Sequence, residues 1–174
     1  MTIVDFQLDE ASLAEDLLHS PEKANPAALE ETYFVMPVRL CVNGVEMFER
    51  HSRTKRNVFV STADEGVLQV QLPREASCWL PLPLLGFATD ALRVLNELKP
   101  YKDQKLNLAG GGHLVLSCES DQITVESSIN GNHSSTHSAE ALNAFRIFSD
   151  KVQQLLISRA PTIQQNTSWR RWFA

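Results

Sequence analysis

The chain has 174 residues, 43% of them apolar and 21% charged, which is enough to bury one sizeable core and too ordinary a balance for wholesale disorder. Its formal charge of −5 and pI near 5.5 argue against a general nucleic-acid binder, which needs Lys and Arg to neutralise phosphates. Three widely spaced cysteines (Cys41, Cys78, Cys118) with no Cys-x-x-Cys pair suggest neither a disulfide framework nor a Cys-rich zinc site.

The charge is uneven. Residues 1–31 carry eight acids (Asp5, Asp9, Glu10, Glu15, Asp16, Glu22, Glu30, Glu31) against Lys23 alone, a balance of −7. The remaining residues carry thirteen acids and fifteen bases, a balance of +2. The N-terminus lacks a basic region followed by an apolar one, so no signal peptide is expected and the cytoplasm is the expected compartment. The apolar stretch from Trp79 to Leu85 is too short and Pro-rich to span a bilayer. With no secretory route, the sequons at Asn132 and Asn166 read as accidental.

Val4, Phe6 and Leu8 alternate, which predicts a first strand. Asp9 is placed to cap a helix with Leu13, Leu17 and Leu18 on one side, ended by Pro21. A polar connector over residues 19–31 leaves room for a helical turn after Pro26. From Thr32 the period becomes two: Phe34, Met36, Val38, Leu40 and Val42 alternate until Asn43-Gly44, whose residues tolerate the φ > 0 of a tight hairpin turn. Val45–Glu49 is the expected return strand, followed by a basic loop from Arg50 to Arg56. Asn57–Ser61 and Val67–Leu72 flank Asp64-Glu-Gly66 as a second hairpin. Pro81 and Pro83 are expected in the first turn of a helix whose apolar side holds Leu84, Leu85, Ala88, Leu92, Leu95 and Leu98.

Three strands should follow: Lys105–Ala109, His113–Glu119 and Gln122–Ile129, turning at Gly110-Gly-Gly112 and Ser120-Asp121. Residues 130–138 read as a loop, and Ser138 as the N-cap of a last helix with Leu142, Phe145, Phe148, Val152, Leu155 and Leu156 on one stripe. Pro161 ends it, and the tail closes with Trp169-Arg-Arg-Trp172-Phe. The sum is one α+β domain over residues 1–174, a largely antiparallel sheet of hairpins with about three helices on one face or at its ends. It includes an acidic N-terminal strand and helix segment (residues 1–31) and an aromatic C-terminal tail (residues 160–174).

No catalytic, cofactor or metal signature stands out. The triple glycine precedes a strand, whereas a phosphate cradle precedes a helix. His133 and His137 lie in a loop-like run without the Glu of a zinc helix. Cys41 and Cys118 sit in strands as small hydrophobes, and Cys78, beside Trp79, is the cysteine to test for reactivity. The basic loop reads as solvated charge that suppresses edge pairing. What remains points to binding another protein, with an enzyme lacking a recognisable motif as the alternative, since paired carboxylates meet in space and not along the chain. Asp9, Glu10, Glu15, Asp16, Glu30 and Glu31 would form an electrostatic surface, and Trp169 and Trp172 would be either anchors or a tail folded back on the core. Neither nucleic acid nor membrane is the expected partner, and a homodimer stays open.

The runs Val38–Glu46 and Gly111–Val125, with the terminal helix and its Trp-Arg-Arg-Trp, are similar to small bacterial α+β proteins, some of which are immunity proteins. That resemblance implies a toxin neutralised by tight binding and occlusion. The order helix, strands, helix, strands, helix also resembles class I type III secretion chaperones, which are small, acidic and dimeric. The run Pro73–Pro83 falls outside that second pattern.

Overall fold

The architecture follows from where alternation places apolar side chains. In the computed structural model, which describes residues 4–12, 21–31, 34–50, 57–61, 67–71, 78–109 and 111–172, strand β1 (Val4–Leu8) runs antiparallel to β2 (Val35–Val42). Their register opposes Val4 to Val42, Phe6 to Leu40 and Leu8 to Val38, so the three β1 apolar residues share a face with three fully buried ones. On the other side of β2, its C-terminal end pairs with β3 (Val45–Glu46) and its N-terminal half with β6 (Leu80–Pro83). Asn43 and Gly44 both have positive φ, 52° and 78°, as the expected hairpin turn requires.

The return strand is shorter than expected. Met47 and Phe48 are consecutive and both fully buried, which strict alternation forbids, so the ladder stops at Glu46 with one further bond from Met47 N–H to the Leu40 carbonyl (2.9 Å). Strands β4 (Asn57–Ser61) and β5 (Val67–Gln71) form the expected second hairpin and pair with each other. The basic loop beyond Arg50 lies outside the described residues.

Pro81 and Pro83 correct the sequence reading. They belong to β6, and helix α2 (Leu84–Glu97) starts only after Pro83. A strand at the margin of a sheet tolerates proline because its outward side needs no N–H donor, and Pro81 lies in register with Pro37. The apolar stripe of α2 is largely as expected, with Leu84, Leu85, Ala88 and Leu95 buried, joined by Phe87, Ala91 and Val94.

The second sheet has the order β10-β9-β8-β7, all antiparallel, from β7 (Gln104–Asn107), β8 (His113–Glu119), β9 (Gln122–Ser127) and β10 (His133–His137). Strand β10 replaces the expected loop. Its sequence, His-Ser-Ser-Thr-His, has no apolar alternation to read, and it is held by backbone pairing with β9 while only Thr136 is buried. Helix α3 (Ser138–Arg159) then begins one residue earlier than a Ser138 cap allows. His137 holds the cap position without a side-chain bond, and the Ser138 N–H donates to the Asp121 carbonyl at 2.7 Å.

One hydrophobic cluster joins both sheets to α2 and α3. Half-buried Phe6 packs against it, stacking on Phe148 (4.4 Å between centroids) and meeting Phe145 edge-on (4.7 Å). Three asparagine amides fasten the sheets to each other. Asn130 Nδ2 donates to the carbonyls of Glu46 and Glu49 (3.2 and 3.0 Å), Asn132 Nδ2 to that of Glu46 (2.8 Å), and Asn43 Nδ2 to that of Ser135 (2.7 Å). The short helix α1 (Pro26–Glu31) packs on α2 with Leu29 fully buried, and α4 (Trp169–Trp172) closes the described chain.

Candidate binding surfaces

Between β1 and α1, one buried side chain fastens the acidic segment to the C-terminal part of the chain. Asn166 is 4% exposed, and its Nδ2 reaches the carbonyls of Pro21 (2.9 Å), Glu22 (3.3 Å) and Ala24 (2.8 Å), while its Oδ1 accepts from the Ser168 N–H (2.9 Å). Both sequon asparagines therefore spend their amide nitrogen on backbone carbonyls within the fold. Beyond the clamp, Asn25 Oδ1 accepts from the Ala28 N–H at 2.8 Å and so starts α1. Glu22 sits between these contacts; a bond from its own backbone amide, then the Thr162 hydroxyl, hold its carboxyl below the usual range.

The predicted acidic contacts divide between elements. Glu10 is exposed on a 3-10 turn (Glu10–Ser12) beside α3, where Lys151 Nζ lies 3.8 Å from its carboxylate, and Asp9 is half-buried. Glu30 is half-buried and Glu31 exposed on α1. Glu15 and Asp16, with the helix expected after Asp9, fall outside the described residues beyond Ser12.

The two tryptophans do not behave alike. Trp169 is 5% exposed and belongs to the hydrophobic cluster, so it has almost no surface to offer a partner, and its reading as an anchor gives way to the folded-back tail. Trp172 is half-buried against the same cluster.

A polar surface that the sequence reading passed over covers the outer face of the first sheet. Arg39 Nε donates to Glu46 Oε1 at 2.8 Å, and Nη2 meets the same oxygen; Nη1 donates to Gln7 Oε1 (3.3 Å), and Gln7 Nε2 to Asp5 Oδ2 (2.8 Å). The signal was available, since the alternation that turns Phe6 and Leu40 inward must turn Gln7 and Arg39 outward together. The Glu46 Oε2 atom is buried and has no hydrogen-bond partner. Cys41 shares this face; burial first, then the Glu46 charge, push its thiol up, which disfavours the nucleophilic thiolate. All three cysteines are half-buried.

His133 and His137 are exposed on β10, and His137 Nδ1 lies 3.4 Å from Asp121 Oδ2. Among the described residues no group of three or more His, Cys, Asp or Glu could hold a metal ion. Gly111 and Gly112 have φ of 96° and 102° in the turn between β7 and β8, a hairpin turn and not a helix-capped phosphate loop. No described helix is long and apolar enough to cross a membrane.

Comparison with known protein families, characterised proteins and solved structures gives no match. The surfaces have to be interpreted from their own chemistry.

Proposed function

We propose that this chain works by binding another protein, and that the acidic segment faces a basic region of that partner. The observation that carries the reading is the Asn166 clamp combined with the charge balance. Residues 1–31 have a balance of −7, and the carbonyls of Pro21, Glu22 and Ala24 are gripped by a buried amide, so the described acids of the segment (Asp5, Asp9, Glu10, Glu22, Glu30, Glu31) are carried on formed structure and not on a free arm. Fixed complementary charge raises association rate and selects partners by sign. An immunity-type role fits this arrangement: a toxin domain with a basic active-site cleft would be captured rapidly and occluded.

The test is co-expression of the chain with each adjacent gene product, followed by copurification and a toxicity assay. A product that copurifies at low salt, is neutralised, and is released by Glu30→Lys/Glu31→Lys supports the proposal. Absence of any neutralised product, or binding indifferent to that charge reversal, refutes it.

A second reading, a secretion chaperone, draws on the succession α1, strands β2–β6, α2, strands β7–β10, α3. It requires a homodimer that takes an extended segment of its client. A monomeric mass in solution would remove it.

A further inference from the structure

Among the described residues, four that are not glycine have positive φ: Phe34 (56°), Asn43 (52°), Tyr101 (61°) and Ser120 (58°). Asn43 and Ser120 are small polar residues in hairpin turns, where this region is tolerated. Phe34 and Tyr101 are bulky, and for them it is unfavourable. The strain at Phe34 is offset inside the fold, because its side chain is fully buried and its carbonyl accepts from the Leu84 N–H. At Tyr101 no burial of the side chain offsets it. Its side chain is 83% exposed, the most exposed large hydrophobic group among the described residues.

The turn that carries Tyr101 is nonetheless well formed. Lys99 and Lys102 form an antiparallel bridge, with the Lys102 N–H donating to the Lys99 carbonyl at 3.2 Å. Pro100 fixes its own φ at the second position, and the Tyr101 N–H donates to the Cys118 carbonyl (2.9 Å), strapping the turn to the end of β8. Glycine would serve this backbone better and bury nothing less. Lys99 and Lys102, which bracket Pro100 and Tyr101 in the turn, are exposed, with Lys105 farther along on β7. Of the nearby acids, Asp103 accepts from the Ser117 hydroxyl (2.7 Å), Asp121 lies beside His137, and Glu119 is exposed at the end of β8.

We propose that the Lys99–Lys102 turn is a recognition tip: Tyr101 enters an apolar recess of an acidic protein partner, and Lys99 and Lys102 meet carboxylates at its rim. A rigidly presented aromatic flanked by cations suits such a site, because little side-chain freedom is lost on docking. This contact has the opposite sign to the acidic surface and does not depend on it.

The test uses the full chain, isotope-labelled, titrated with a random glutamate–leucine copolymer as an acidic and apolar polypeptide probe. Amide resonances of Lys99, of residues 101–105 and of Cys118 should shift. Tyr101→Gly should raise the melting temperature by removing left-handed strain, yet weaken copolymer binding about tenfold or more, as expected for a central aromatic contact. Tyr101→Asn, which tolerates the same backbone, should weaken binding similarly, and Lys99→Glu/Lys102→Glu should abolish it. The Glu30→Lys/Glu31→Lys variant should keep these shifts, so failure here and failure of the acidic surface are separable. The proposal is overturned if Tyr101→Gly binds the copolymer as well as the parent chain does. It is equally overturned if oligothymidine or phosphatidylserine vesicles produce the same shifts at lower concentration than the copolymer.

Discussion

Gly86 lies in the third position of α2, where α1 crosses it. A Cβ built there would stand 2.2 Å from the Glu30 carbonyl oxygen and 3.1 Å from its carbon. In an unobstructed helix, Gly→Ala gains about 1 kcal/mol of backbone propensity. Here the obstacle is backbone and not a flexible side-chain end, so α1 must move away by about 1 Å to restore an ordinary contact. Leu29, the residue before Glu30, is fully buried and would be drawn out with it. Overpacking of this kind costs about 1–3 kcal/mol, and the rigid obstacle puts Gly86→Ala at the upper end of that range. After the propensity gain, a net loss of about 1–2 kcal/mol is expected, or about 2–8 °C in melting temperature for a chain of this size. Urea and thermal unfolding followed by circular dichroism measure it, with the exposed Asn143→Ala on α3 as a control for propensity without obstruction. A Gly86→Ala midpoint at or above the parent's would refute the close approach of α1 to α2.

Asn166→Ala should cost about 2–4 kcal/mol, because it removes the donor to three carbonyls near a buried site. Asn166→Asp should be no better, since a carboxylate only accepts; an Asp variant as stable as the parent would exclude the clamp. The Glu22 carboxyl has a lower pKa folded than unfolded, so its stabilisation is present above the ordinary carboxylate range and is lost as pH falls through the folded value. Glu22→Gln should therefore be less stable than the parent at neutral pH, with the gap closing in acid; a gap that widens in acid would reverse the assignment. In a Cys78→Ser/Cys118→Ser background, the Cys41 labelling rate should rise with an apparent pKa above that of free cysteine, as burial and Glu46 require. A midpoint below free cysteine would show an activated thiol instead.

Much of the architecture was legible because it rests on short-range pattern. The alternation from Phe34 to Val42, the Asn43-Gly44 turn and the stripe of α3 each encode their structure in one short continuous stretch. Strand β6 was misread because proline is informative only when the position of a strand in its sheet is known, and that position is tertiary. Strand β10 was missed because its residues are polar and its stability comes from β9. The charge imbalance of the acidic segment could be counted directly, but its attachment could not. Asn166 acts on residues more than a hundred and forty positions earlier in the chain, and no local pattern announces such a contact. The tail composition was equally compatible with an exposed or a buried Trp169, and only packing decided between them.

The seam between the sheets has a chemical lifetime as well as a mechanical role. Two of its three fastening amides, Asn43 and Asn130, are each followed directly by glycine. An unbranched neighbour lets the next backbone nitrogen attack the asparagine side-chain carbonyl carbon and expel ammonia, and water then opens the cyclic imide to aspartate or isoaspartate. Either product exchanges an N–H donor for a carboxylate aimed at backbone carbonyls, turning attraction into repulsion at the same point. Ageing of this protein should thus begin where its two halves are sewn together, and old preparations should lose the contact between sheets before either sheet loses its own strands.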